Sequence, residues 1–381
     1  MEMNYLKISS CIVKLLLPIY FMISIVSTRN IFLHLFFCFL TVIIAFDCYV
    51  RNRKIVINKS YIILFPIILM YFVTSLFFAE HSQLYVLASF LIVFILEIFY
   101  KPEYISNDKI YNYVSSIGII TLLIYKINTY NSSFNNEGLD LNFVSVMIFI
   151  FFMYCEKTGN IIGVLFAILY LIFINNSRSF FLMFIVFILM KLFKNYIWGL
   201  MTWLNIKTGK LFLISFLITI LFSYFWVFNV SMNNLADYRE SLNDGSNRMR
   251  FVSNIFFYDT ALSNEITIYG YGQDIKDVLG LNEEDYSLNT QYLGVRLVQP
   301  HNSINNILLK MGIIPGILYL YFVSKLINKQ LCIHNIEYII PYFINAMIMH
   351  SCLNSILLEL WYLLLLVPQS RTFRLALNEK R

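Results

Sequence analysis

His301, Arg178 and the pair Arg248 and Arg250 are the side chains of this sequence best suited to move a proton or hold an anion, and each stands where polar chain meets apolar chain. His301 follows Pro300 in VQPHNSINNILLKMGIIPG, a polar turn that becomes an apolar run. The unperturbed pKa of imidazole lies nearest neutrality, which suits it to take a proton from a hydroxyl as a general base. A histidine at an interface also serves structure alone. Proline disfavours helix in the residue before it, so the spacing predicts a helix that starts at His301 to Ser303, capped by Asn302 or Ser303. On that helix His301, Asn305, Leu308 and Gly312 share one face, and Asn302, Asn306 and Leu309 share its neighbour.

Arg178 stands in INNSRSFF, a short polar hairpin between two apolar runs. Its guanidinium is always charged and its planar fork matches phosphate or carboxylate, although an arginine there also reaches ordinary lipid head groups. Arg248 and Arg250 sit two apart in NDGSNRMRF, just before the amphiphilic run FVSNIFFYDTAL. They suit joint anion binding with backbone donors at a helix start, or the neutralising of neighbouring aspartates. Tyr269-Gly270-Tyr271-Gly272 is a turn signal without the strand and third glycine of a dinucleotide fingerprint. Adjacent acids at Glu283, Glu284 and Asp285 read as a solvated face, so no metal is expected. The six cysteines lie in or beside apolar runs without a CxxC, as small apolar residues do.

The elements that must position these groups are membrane helices. The chain has 381 residues, 59% of them hydrophobic and 13% charged, with a mean hydropathy of +0.70. A soluble domain is about 45–50% apolar. Runs of roughly 17 to 22 apolar residues, each able to cross a hydrocarbon core, predict twelve spans near 11–27, 30–50, 60–79, 84–100, 110–127, 139–155, 160–176, 179–194, 209–229, 304–325, 336–351 and 353–368. The first is expected to be retained, since no small-residue cleavage site follows it. The stretch 195–205, NYIWGLMTWLN, is too brief to span, and its tryptophans suit an interface. A cytoplasmic N-terminus places 19 of the 28 Lys and Arg residues inside, as the positive-inside rule demands. The net charge of +6 is then a matter of sidedness and does not point to nucleic acid.

That orientation puts the one long connection, 230–303, on the external face, and long loops on a rigid scaffold usually carry function. The chain therefore divides into spans one to nine over 1–229, an acidic external loop over 230–303, and three more spans with a short tail over 304–381. No internal repeat is evident, and the candidate site residues gather at one face; a transporter would place ionisable residues near mid-membrane. Glu97, Asp47, Glu359 and Lys310 are the exceptions.

Together the S-R before a helix, the arginine turn opening the loop, the G-x-G and the run P-H-N-S-x-x-x-x-L-x-x-x-G-I-I-P-G resemble the O-antigen ligase and Wzy-type polymerase superfamily, over Arg178 to Gly316. The resemblance implies an all-α, GT-C-like membrane glycosyltransferase of about twelve spans in the bacterial inner membrane, with its site facing the periplasm. Its implied substrate is an undecaprenyl diphosphate-linked oligosaccharide, polymerised into O-antigen or capsule without metal or cofactor. By motif, His301 matches the proposed base, Arg178 the arginine facing the diphosphate, and Arg248 or Arg250 the loop arginine. The G-S-N-R setting favours Arg248, while the tryptophan that the family has four residues on is Val252 or Asn254 here. Asn302 and Asn305 are expected in support. Membrane lipids and a chain-length regulator are the implied partners. A ligase acting on lipid A-core shares all these features, and a lipid-linked sugar flippase shares the topology.

Overall fold

The computed structural model describes residues 65–66, 68–69, 90–91, 93–94, 120, 141–173, 178–232, 253–254, 257–258, 291–292, 295–296, 301–349, 352–353 and 355–366. The expected spans 11–27 and 30–50 lie outside them, as do Arg248 and Arg250. What is described is helical apart from a two-residue antiparallel ladder, β1 (Gln291–Tyr292) against β2 (Val295–Arg296). The helices are α1 (Leu141–Thr158), α2 (Ile161–Phe173), α3 (Arg178–Leu192), α4 (Lys194–Trp203), α5 (Thr208–Met232), α6 (Ser303–Met311), α7 (Ile313–Gln330), α8 (Ile336–Ala346) and α9 (Ile356–Leu366).

α1 is the central element, packed against α2, α3 and α9. Its residues Ser145 to Cys155 are all buried, so it is apolar on every side, as a helix enclosed by others must be. Phe149 and Phe152 meet Phe187 of α3 edge to face, a geometry favoured by the ring quadrupoles. α7 packs on α5 and α9, and its Tyr319 and Phe322 hold Phe90, from the expected fourth span.

α1 to α3 and α5 fit the expected apolar runs closely, but the run expected as one span over 304–325 is broken. Gly312 has φ 85° and separates α6 from α7, a backbone conformation that L-residues with a side chain avoid. Pro315 explains the restart. Inside a continuous helix its ring would clash with the carbonyl four residues earlier, whereas in the first turn of α7 its missing N–H costs nothing. The two helices fold onto each other. A Cβ on Gly316 would lie 2.9 Å from Leu308 Cδ2 and 3.1 Å from Leu308 Cα, so only glycine allows that approach. The last two expected spans are also shorter than their apolar runs, as α8 and α9 have 11 residues each and the segment between them turns inward. By length and hydropathy no single helix among the described residues crosses a membrane, although α3 and α4, bent by 83°, meet the criterion together.

One end of the bundle is tied by charge. Lys191 of α3 pairs with Glu156 of α1, which also accepts a hydrogen bond of 2.7 Å from the Tyr338 hydroxyl. Lys194 pairs with Glu337 at 3.0 Å. Lys157 Nζ donates to Asn335 Oδ1 and to the carbonyls of Leu364 and Leu365 at the end of α9. Thr208, at the start of α5, donates its backbone N–H to Asn328 near the end of α7. Every described lysine except Lys310 belongs to this end.

Candidate functional site

The start of α6 is a buried cluster of neutral polar side chains. Asn302 is the cap: its extended backbone lets Oδ1 accept from the N–H groups of Ile304 (2.8 Å) and Asn305 (3.2 Å), two of the donors that a helix start leaves open. Its Nδ2 donates to Thr219 Oγ1 of α5 at 2.9 Å. Ser303, the other capping candidate, serves a different purpose. Its hydroxyl donates to Met349 O at 2.5 Å and accepts from the Cys352 N–H at 3.0 Å, fastening the α8–α9 turn to α6. Tyr319 and Tyr342 secure the same turn by donating to Leu353 O and Cys352 O.

Asn305 faces the long connection. Its Nδ2 donates to Asn254 Oδ1 at 3.0 Å and to the Tyr258 hydroxyl at 2.9 Å. Asn254 and Tyr258 are four apart, so one helical turn presents both. Tyr258 also meets Phe216 of α5 edge to face, which wedges this piece of the connection between α5 and α6. Asn302, Ser303 and Asn305 are fully buried. Asn305 Oδ1, and Asn345 Oδ1 on α8, accept no hydrogen bond from the described residues, an expensive state for a buried carbonyl.

His301 precedes α6 and is half-buried, so it stands at the mouth of the cluster rather than on the helix face shared by Asn305 and Leu308. The expected face is corrected at both ends, since Gly312 is the break after α6. Thr219 lies eleven residues along α5 from Thr208, about 16 Å at 1.5 Å per residue, near the middle of that 25-residue helix. The cluster is therefore deep in the bundle, not at its rim.

Arg178 opens α3 and is exposed. Thirteen residues separate it from Lys191, about 20 Å of helix, so it lies towards the end remote from the lysines. Its helix packs on α1, α4 and α8, whereas α6 packs chiefly on α7. His301, Asn302 and Asn305 thus come together; Arg178 shares their half of the bundle on a different helix.

Thr219, Asn254, Tyr258 and Asn345 escaped the sequence reading. The four-residue spacing of Asn254 and Tyr258 within NIFFY was a visible signal, while a single threonine or asparagine in an apolar run is not. Comparison with protein-family models, with curated proteins and with solved structures finds no match for this chain.

Proposed function

We propose that this chain is a multi-pass membrane glycosyltransferase that polymerises saccharides carried on a polyprenyl diphosphate, working from the face opposite its lysines. The observation that carries this reading is the joining of His301's helix start to the long connection through Asn305, Asn254 and Tyr258. Arg250 precedes Asn254 by four residues, so the covalent chain keeps the two Cα atoms within about 14 Å. A diphosphate leaving group needs stabilised charge, which Arg178 with Arg248 or Arg250 supplies without metal. The acceptor hydroxyl loses its proton to His301 as its oxygen bonds to the anomeric carbon. The bond from that carbon to the diphosphate oxygen breaks, and the lipid diphosphate departs with the electron pair.

Two further features support the membrane setting. Lysines gather at one end, as expected of a cytoplasmic face. Large apolar side chains lie exposed along α2, α3 and α5, among them Ile161, Phe173, Ile185, Leu213 and Leu221; a water-soluble surface does not carry such a continuous apolar area, and lipid chains cover it naturally.

The test supplies purified protein with lipid diphosphate-linked repeat units alone. A ladder of lengths is the expected result. Transfer only when lipid A-core is added makes the chain a ligase, and movement of lipid across vesicles without transfer makes it a flippase.

A further inference from the structure

From Lys157 to Ala236 the sequence contains no aspartate or glutamate. In the middle of that run α4 leaves the axis of α3 at 83°, so if α3 crosses the bilayer, α4 lies nearly in its plane. α4 has three faces. Ile197, Trp198 and Met201 pack against the bundle, around buried Met190 and Ile336. Asn195, Gly199 and Thr202, at offsets of four and seven, form an exposed polar stripe. Tyr196, Leu200, Trp203 and Leu204, at offsets of four, seven and eight, form an exposed apolar stripe.

That third face is not incidental exposure. Tyr196 is 74% and Trp203 80% exposed, and the stripe continues into Leu192 and Phe193 at the bend, 72% and 54% exposed. Aromatic rings with one polar atom favour the head-group level of a bilayer. A helix with one face on protein, one wet and one apolar and aromatic is built for that boundary.

Charge narrows what lies beside it. Lys191 and Lys194 are engaged with Glu156 and Glu337. Lys207 and Lys210, just past Trp203, are exposed and form no ion pair among the described residues. Among the described residues Lys210 Nζ reaches only Leu204 O, at 3.4 Å. The two cations therefore sit at the rim of an apolar aromatic stripe with no acid nearby in sequence.

We propose that α4 and the segment through Lys210 form an interfacial platform that binds anionic phospholipid head groups on the lysine side of the membrane, with Tyr196 and Trp203 inserted among the lipids and Lys207 and Lys210 on the phosphates. This goes beyond the glycosyltransferase reading and rests only on its membrane setting.

The test reconstitutes the full chain in vesicles of phosphatidylcholine mixed with phosphatidylglycerol. Emission assigned to Trp203, as the difference from Trp203→Phe, is expected to be quenched more by lipids brominated near the head group than by lipids brominated near the chain end. Spin-labelled phosphatidylglycerol is expected to be retained over spin-labelled phosphatidylcholine, and Lys207→Gln with Lys210→Gln to lose about fivefold of that preference per lysine. Lys207→Arg with Lys210→Arg keeps the preference, which separates charge from folding. Unquenched Trp203, or equal lipid preference in the parent and the double Gln variant, overturns the proposal; an acidic protein partner gives that second result. A chain that washes off the vesicles in carbonate overturns the membrane setting itself, whatever its transfer activity.

Discussion

Replacing Asn305 with alanine tests whether the connection is docked on α6 by the bonds described. The variant loses two hydrogen bonds, to Asn254 Oδ1 and the Tyr258 hydroxyl, each contributing about 1 kcal/mol net. It also strands the Asn254 oxygen in a site where that residue is only 3% exposed, which costs about 1–3 kcal/mol more. Against this, the Asn305 oxygen, which accepts no hydrogen bond from the described residues, is removed, returning about 1–2 kcal/mol. The balance is about 2 kcal/mol against docking, or roughly a 30-fold change in equilibrium. Hydrogen exchange of the amides at Ser253 to Tyr258 reads this directly, as a protection factor lower by about 30-fold with little change in α1. Polymer length, made from lipid-linked repeats, should fall in parallel. Tyr258→Phe alone should cost less, and combined with Asn305→Ala it should add less than its single effect, because the two share one contact. Protection within threefold of the parent would refute the docking argument, and unchanged polymer length with lost protection would detach docking from catalysis.

His301→Ala and Arg178→Ala are each expected to abolish polymer while the protein still inserts, as read by product ladders beside carbonate extraction; retained ladders in both remove the assignment. Gly316→Ala is expected to destabilise by about 1–3 kcal/mol through overpacking against Leu308, measured by thermal unfolding in detergent. Gly312→Ala should cost about 1–2 kcal/mol because of its positive φ, in the same assay. Lys191→Met removes the ion pair of the Glu156 carboxylate and leaves its hydrogen bond from Tyr338. The cost should be about 2 kcal/mol, below that of breaking a fully buried pair because Lys191 is 34% exposed; adding Glu156→Gln should recover part of it.

The apolar runs located α1, α2, α3 and α5 to within a few residues, because burial in a bundle or in lipid demands little beyond length and hydropathy. α4 was equally legible as a stretch too short to span. The α6–α7 break was written as G-I-I-P, yet a hydropathy window runs through it without interruption, and Gly312 reads as a packing residue until its φ is known. Pro315 carried the better signal, as a proline three residues past a glycine suits a restarted helix. Choosing between Asn302 and Ser303 as cap was beyond local rules, since both residue types fit. The choice is made by Met349 and Cys352, more than forty residues away, which recruit the serine hydroxyl. Asn305 likewise could be placed near His301 but not given its partners, which come from a different part of the chain.

Closure below the cluster bears on the choice between group transfer and transport. Between α8 and α9 Tyr342 and Trp361 are stacked with centroids 4.1 Å apart, with Phe343 edge-on to the same indole. Tyr338, Tyr342 and Trp361 are fully buried, and the indole Nε1 donates to Tyr338 O at 3.1 Å. A carrier that passes a saccharide between α8 and α9 must open this layer, separating stacked rings and exposing a bonded indole. An enzyme working from one face needs the layer intact, since it holds α8 and α9 against the turn that fastens Ser303. The cluster's amides and hydroxyls are neutral, so they hold the start of α6 without the desolvation cost of buried charges. Tyr342→Ala, which breaks the layer, should therefore impair transfer by loosening α6; a carrier whose route runs between α8 and α9 would instead move lipid faster.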